Sequence, residues 1–187
     1  MKAFLAGVIV TLVCVIGGLY AFFAGGFAPV ATSSRPMMFE RKLARMALHA
    51  RLEKEMPTSV PIEANEANYL AGARSYLTNC AVCHGAPGKE RTAIARGEFP
   101  RPPKLLQGKG VTDDPPGETF WKVANGIRLT GMPGFKESLS PTEMWQISLM
   151  LANADKLPSS VTAVLAGQPE TPEPKASAAA EHPAAKK

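Results

Sequence analysis

Cys80-Ala81-Val82-Cys83-His84 is the stretch that most limits what this chain can become. Two thiols three residues apart at the end of a helix face the same side, and an imidazole follows at once. Such a pair can form thioethers with the two vinyl groups along one porphyrin edge, and the imidazole then lies beneath the iron as its proximal ligand. Gly85 has no Cβ and lets the chain turn closely past a macrocycle. Competing chemistries ask for more than the chain offers. A structural zinc site needs about four ligands, and no second Cys/His pair exists in the domain. A thioredoxin-like redox pair belongs beside a βαβ pattern, which is missing. Two inert cysteines beside a core histidine are the bland alternative.

The rest of the composition agrees with a covalently held haem. Aromatic residues make up only 7% of the 187, so the core needs another large apolar body to organise it. The third cysteine, Cys14, lies in an N-terminal apolar run, and an odd, small count argues against a disulfide framework. Val13 before it is bulkier than the small residue that lipoprotein processing uses. The net charge is +5, with the excess mainly between Arg35 and Lys54. The stretch from Pro61 to Pro158 is close to neutral and has no basic face interleaved with aromatics, which leaves nucleic-acid binding without support.

Ala3 to Phe23 carries no charge, and its roughly 21 residues suffice to cross a hydrocarbon core. Secretory signals have shorter apolar regions, so a retained anchor fits better than a cleaved signal. Orientation is in conflict. Lys2 is the only side-chain cation before the span, whereas Arg35, Arg41, Lys42 and Arg45 follow it. Read alone, that charge bias puts the C-terminal part in the cytoplasm. Attachment of a c-type haem takes place in the periplasm and requires the opposite.

Gly25 to Pro36 reads as a flexible exit. Met37 to Met56 has a helical period with a charged face, which predicts a solvated stalk helix, or else one that lies on a membrane or docks a partner. His49 on it reads as a surface histidine. A domain over 62–157 follows. Asn65 is a good cap for its first helix, Asp114-Pro115 looks like another start, and Asn125-Gly126 like a stop. Ser140-Pro141-Thr142-Glu143 has the form of a capping box, and the helix after it has a strong apolar face. No stretch of the domain alternates as strands do, so it is expected to be all-α with Pro- and Gly-rich loops. Residues 158–187 are rich in Ala, Pro, Glu and Lys and are expected to form a disordered tail, His182 included. The expected organisation is thus a 1–24 anchor, a 25–61 linker and stalk, the 62–157 domain and the 158–187 tail.

A sixth iron ligand has to come from beyond His84, where the domain offers Met132, Met144 and Met150 and no second histidine. Met144 and Met150 fall on a helix, where methionine usually fills core space. Met132 sits in Thr130-Gly131-Met132-Pro133-Gly134-Phe135, a stiff loop that can present a thioether.

At these residues the chain resembles class I cytochromes c, especially the small bacterial domains also found as subunits of respiratory complexes. Cys80, Cys83, His84 and Gly85 match the attachment motif, and Met132 matches the distal ligand segment. Gly72 and Tyr76 resemble the positions where the family's first helix crosses its last, with Trp145 and Leu149 facing them. Pro103-Lys104-Leu105 resembles the segment whose proline carbonyl accepts a hydrogen bond from the proximal histidine, with Pro102 the nearby rival. Trp121, Asn125 and Ile127 resemble a haem-lining segment, and Tyr76, Leu105 and Phe135 are expected to join Trp121 in an apolar pocket. The resemblance implies an all-α cytochrome c fold around one covalent haem c, with His84 and Met132 as axial ligands. It also implies one-electron transfer rather than enzyme catalysis; the anchor and the periplasmic site of haem attachment, which lie outside the resemblance, add the expectation of a single-pass protein of the cytoplasmic membrane with its haem domain on the periplasmic side. Its partners would be a membrane dehydrogenase, an oxidase or other cytochromes. The alternative is a haem enzyme or gas sensor with an open or displaceable distal ligand.

Overall fold

The computed structural model describes residues 1–107 and 112–168. Among them are eight helices and no strand. Helix α1 (Lys2–Ala24) has no buried residue. It is long and apolar enough to cross a membrane, a test that a signal sequence near an N-terminus also passes.

Helix α2 (Glu40–Glu55) departs from the expected free stalk. Its C-terminal half docks on α6 (Pro116–Asn125). Leu52 is 2% exposed, and Trp121 Nε1 donates to Glu55 Oε2 at 3.1 Å. Gly117 on α6 lies so near the end of this segment that a Cβ there would sit 1.9 Å from the Pro57 carbonyl oxygen. The stretch expected to be linker therefore contributes packing to the domain. A small amphipathic helix cannot hold Leu52 in water when an apolar surface is within reach.

Helix α3 (Glu66–Asn79) starts where expected, because the Asn65 side chain accepts from the Asn68 amide at 3.0 Å. It crosses α7 (Pro141–Ala152) at Gly72, whose missing Cβ would otherwise stand 2.2 Å from the Gln146 carbonyl oxygen. The residues at that crossing are Gln146 and Ile147. Trp145, expected there, instead stacks on Phe120 of α6 with ring centroids 4.2 Å apart. The capping box of α7 is present: Ser140 N donates to Glu143 Oε2 at 2.8 Å, and Glu143 N to Ser140 Oγ at 3.3 Å. Met144 and Met150 are buried, as core-filling methionines should be. Helix α6 begins at Pro116, one turn position later than read, and Gly126 stops it at φ +68°.

Short helices α4 (Ala81–His84) and α5 (Ala93–Gly97) connect α3 to α6. The last described helix, α8 (Ser159–Leu165), overturns part of the expected tail. Val161, Val164 and Leu165 lie at i, i+3 and i+4 and are buried in the core cluster with Tyr76, Ile147, Met150 and Leu151. The helix packs on α3, and Ser160 donates to Glu66. Three apolar residues on one face suffice when a groove already exists to receive them. The remainder of the expected tail, with His182, lies outside the described residues.

Candidate functional site

The α3–α4 junction, the 98–105 loop, α6 and the 126–135 loop enclose an apolar cavity of about 400 Å³, within the range that holds small-molecule cofactors. Cys80, Cys83, His84, Pro103 and Met132 all line it, as do Leu105, Ile127 and Phe135. Trp121 and Tyr76 do not. Trp121 turns away toward Glu55 on α2, and Tyr76 is fully buried behind the wall.

Several side chains hold the turn that carries the thiols. The Tyr76 hydroxyl donates to the Gly85 carbonyl at 2.7 Å, fixing the end of the turn to α3. Burial, helped by Cys80, pushes the Tyr76 phenol well above its ordinary value, so the donor keeps its proton. Thr92 Oγ1 donates to the Val82 carbonyl at 2.6 Å. His84 Nδ1 lies 2.8 Å from the Pro103 carbonyl oxygen. A carbonyl only accepts, so this nitrogen carries the hydrogen and Nε2 is left with a lone pair. Arg91 Nη1 donates to the adjacent Pro102 carbonyl at 2.8 Å, so the two prolines share the work of fixing this loop. Burial holds the His84 pKa below its ordinary value despite the upward pull of the Pro103 carbonyl and Glu98. The imidazole is therefore kept in the neutral form that binds metal.

The thiols are equally constrained. Burial, then the neighbouring Cys83, pushes Cys80 up to about 12. Burial, then the Glu98 carboxylate, pushes Cys83 up to about 11. Cys83 Sγ donates to Glu98 Oε1 at 3.1 Å. Glu98 reaches across the cavity, since a Cβ on Gly131 would lie 2.6 Å from its carboxyl carbon. Neither Glu98 nor Leu48 of α2, which also lines the cavity, carried any motif that would single it out in the sequence.

Met132, also on the cavity wall, is held by its own loop. Its carbonyl accepts from Ile127 N at 3.2 Å, and Thr130 Oγ1 accepts from Met132 N at 3.1 Å. Phe135 N donates to the Val123 carbonyl at 2.9 Å, which seats the loop on the end of α6. Gly126 and Gly134 approach so closely that a Cβ on Gly126 would lie 2.6 Å from Gly134 N.

These residues fit a haem: an apolar space, two thiols on one edge, a neutral imidazole with its Nε2 lone pair available, and a thioether on a rigid loop. One further observation agrees. Thr119 Oγ1 is buried on the cavity wall without a hydrogen-bond partner among the described residues, a polar atom that a bound group would meet.

A family model described as "Cytochrome C oxidase, cbb3-type, subunit III" matches residues 67–149. That match covers the helical domain and is to c-type cytochromes, the class its attachment motif resembles. The chain's all-helical architecture is that of the cytochrome c fold, preceded by one apolar N-terminal helix. A cytochrome c domain implies haem c and the transfer of electrons. No curated protein matches the chain in sequence. Among solved structures it is similar to a chain of the Kuenenia stuttgartiensis reducing HAO-like protein complex Kustc0457/Kustc0458, at 23% identity and a TM-score of 0.45. That match covers 54% of this chain and 49% of the other, so the chain spans about half the length of that protein.

Proposed function

We propose that this protein is a mono-haem c-type cytochrome that carries one electron at a time, tethered to the cytoplasmic membrane by α1 with its haem domain on the periplasmic side. The observation that carries the reading is that Cys80, Cys83, His84 and Met132 open onto one apolar cavity. Cys80 and Cys83 hold the cofactor by thioether bonds. His84 binds iron through Nε2, oriented by the Pro103 carbonyl. Met132 would offer its thioether as the second iron ligand. When bound, the haem supplies a reversible one-electron change at its iron. The chain's share would be to offer His84 and Met132 as iron ligands, exclude water with Leu105, Ile127 and Phe135, and favour the ferrous state through the thioether. With no open position for a substrate, carrying electrons is the expected activity. The partners are membrane-bound dehydrogenases, oxidases or other cytochromes, which the tether keeps at high local concentration.

Chain matured in a host competent for haem attachment should gain the mass of one haem and resist alkylation at Cys80 and Cys83. A colourless product with both thiols free to react refutes the proposal. Met132→Ala should abolish the methionine-to-iron charge-transfer band in the far red and lower the potential, whereas Met144→Ala should leave the band in place. A band that survives Met132→Ala would favour the open-site alternative or another ligand.

A further inference from the structure

Helix α2 is apolar on two opposite faces. At 3.6 residues per turn, Leu48 and Leu52 share one side, and that side packs on the domain. Leu43 and Met46 share the other side and are 57% and 60% exposed, with Phe39 at the helix cap 62% exposed and Met38 just ahead of it at 81%. A helix docked by one face gains nothing in water from an apolar opposite face.

The surroundings of this second face indicate what covers it. From Arg35 to Met46 the chain carries Arg35, Lys42 and Arg45 against a single acid, Glu40, all of them exposed or partly so, while Arg41 turns to the domain with its guanidinium 5.5 Å from the centre of the Phe99 ring. Glu40 is already engaged, its Oε2 accepting from the Met37 amide at 2.9 Å. Apolar side chains flanked by cations suit an anionic phospholipid surface. A second copy does not suit it, because a two-fold pairing of this face would set cations against cations. The face also begins only a short connection, residues 25–39, beyond the end of α1 at Ala24.

We propose that the Phe39–Leu43–Met46 face of α2 lies on the anionic surface of the bilayer that α1 crosses. The inference rests on reading α1 as a retained span. It gives the protein a second membrane contact. Because the inner face of α2 contributes Leu48 to the cavity wall, the same helix sets how the haem domain is presented to partners in that membrane. Arg35, Lys42 and Arg45, which conflict with the charge rule for topology, are then lipid contacts.

The test uses full-length, haem-loaded chain in nanodiscs of phosphatidylethanolamine and phosphatidylglycerol. A nitroxide is placed at Leu43→Cys, Met46→Cys or the exposed control Arg51→Cys, each in a Cys14→Ser background, with the visible spectrum reporting an intact domain. Labels at positions 43 and 46 should collide with oxygen in preference to a water-soluble nickel chelate, and the label at 51 should show the reverse. Arg35→Gln and Lys42→Gln should each lower the ratio of immersed to free label about fivefold. Labels at 43 and 46 that are as open to nickel as the control overturn the proposal. So does spin–spin broadening that marks a paired copy, or immersion that appears only when a redox partner protein is added. A label on the native Cys14 reads α1 separately. If it lies in the bilayer while 43 and 46 stay in water, only this inference fails; if it does not, the tether itself is wrong.

Discussion

The wall that carries Cys80, Cys83 and His84 is held by side chains from outside its turn, whereas the wall that carries Met132 is held within its own loop, by backbone bonds and the Thr130 hydroxyl. On the first, Tyr76, Thr92 and Arg91 tie the thiol turn and the proline loop to α3, α5 and each other through carbonyl groups. On the second, the ties fall between Val123 and Lys136, and two glycines allow the contact. A wall fixed by several distant partners tolerates the loss of any one of them. A wall fixed by close backbone approach has no side chain that can give way.

The largest effect is therefore expected at Gly126→Ala. The backbone there has φ +68°, and the new Cβ would lie 2.6 Å from backbone atoms of the Met132 loop. Strain and overpacking should cost about 2–5 kcal/mol. The methionine–iron band should be lost while both thioethers remain, as read by the visible spectrum and denaturant unfolding. Retention of the band would show that the loop can yield. A smaller loss is expected at Tyr76→Phe, which leaves the Gly85 carbonyl without its donor. That should cost about 1–3 kcal/mol in denaturant melts, with both axial ligands intact by spectrum. Loss of the histidine ligand in this variant would mean that the thiol turn hangs on one bond, and the contrast between the walls would be gone.

Smallest is Ser140→Ala, remote from both walls, at about 1 kcal/mol for the lost cap and with no change in spectrum or potential. It also carries a pH signature. The Ser140 amide and hydroxyl hold the Glu143 carboxyl below its ordinary value. That contribution is present above the ordinary carboxylate range and is lost as pH falls through the lower folded value. Stability measured against pH should show this acid-side decline in the parent and a weaker one in Ser140→Ala.

Much of the site was legible because its chemistry is local in sequence. The attachment motif, the Asn65 and Ser140 caps, the Gly126 stop and the glycine- and proline-bound Met132 loop all act within a few residues of themselves. Pro103 also stands where the resemblance implied. Other features were not legible. Trp121 reads as equally able to line a cavity or to pack outward, and the choice is made by Glu55, 66 residues away in the chain. Glu98 has no signature, since only the folded loop brings its carboxylate to Cys83. The Val161, Val164 and Leu165 face was hidden in a composition poor in large apolar residues, and it matters only because α3 offers a groove.

By itself the sequence determined an all-helical domain, an apolar N-terminal helix, and the local motifs at Cys80–His84 and around Met132 that the fold brings to one cavity, because each depends on spacing along the chain. Tertiary structure alone decided that α2 joins the cavity wall on one side and leaves a second apolar face outward, and that α8 completes the core. It also set the Glu98 carboxylate beside the thiols. Those outcomes depend on which surfaces meet, and burial rewards whatever apolar area the folded neighbours make available.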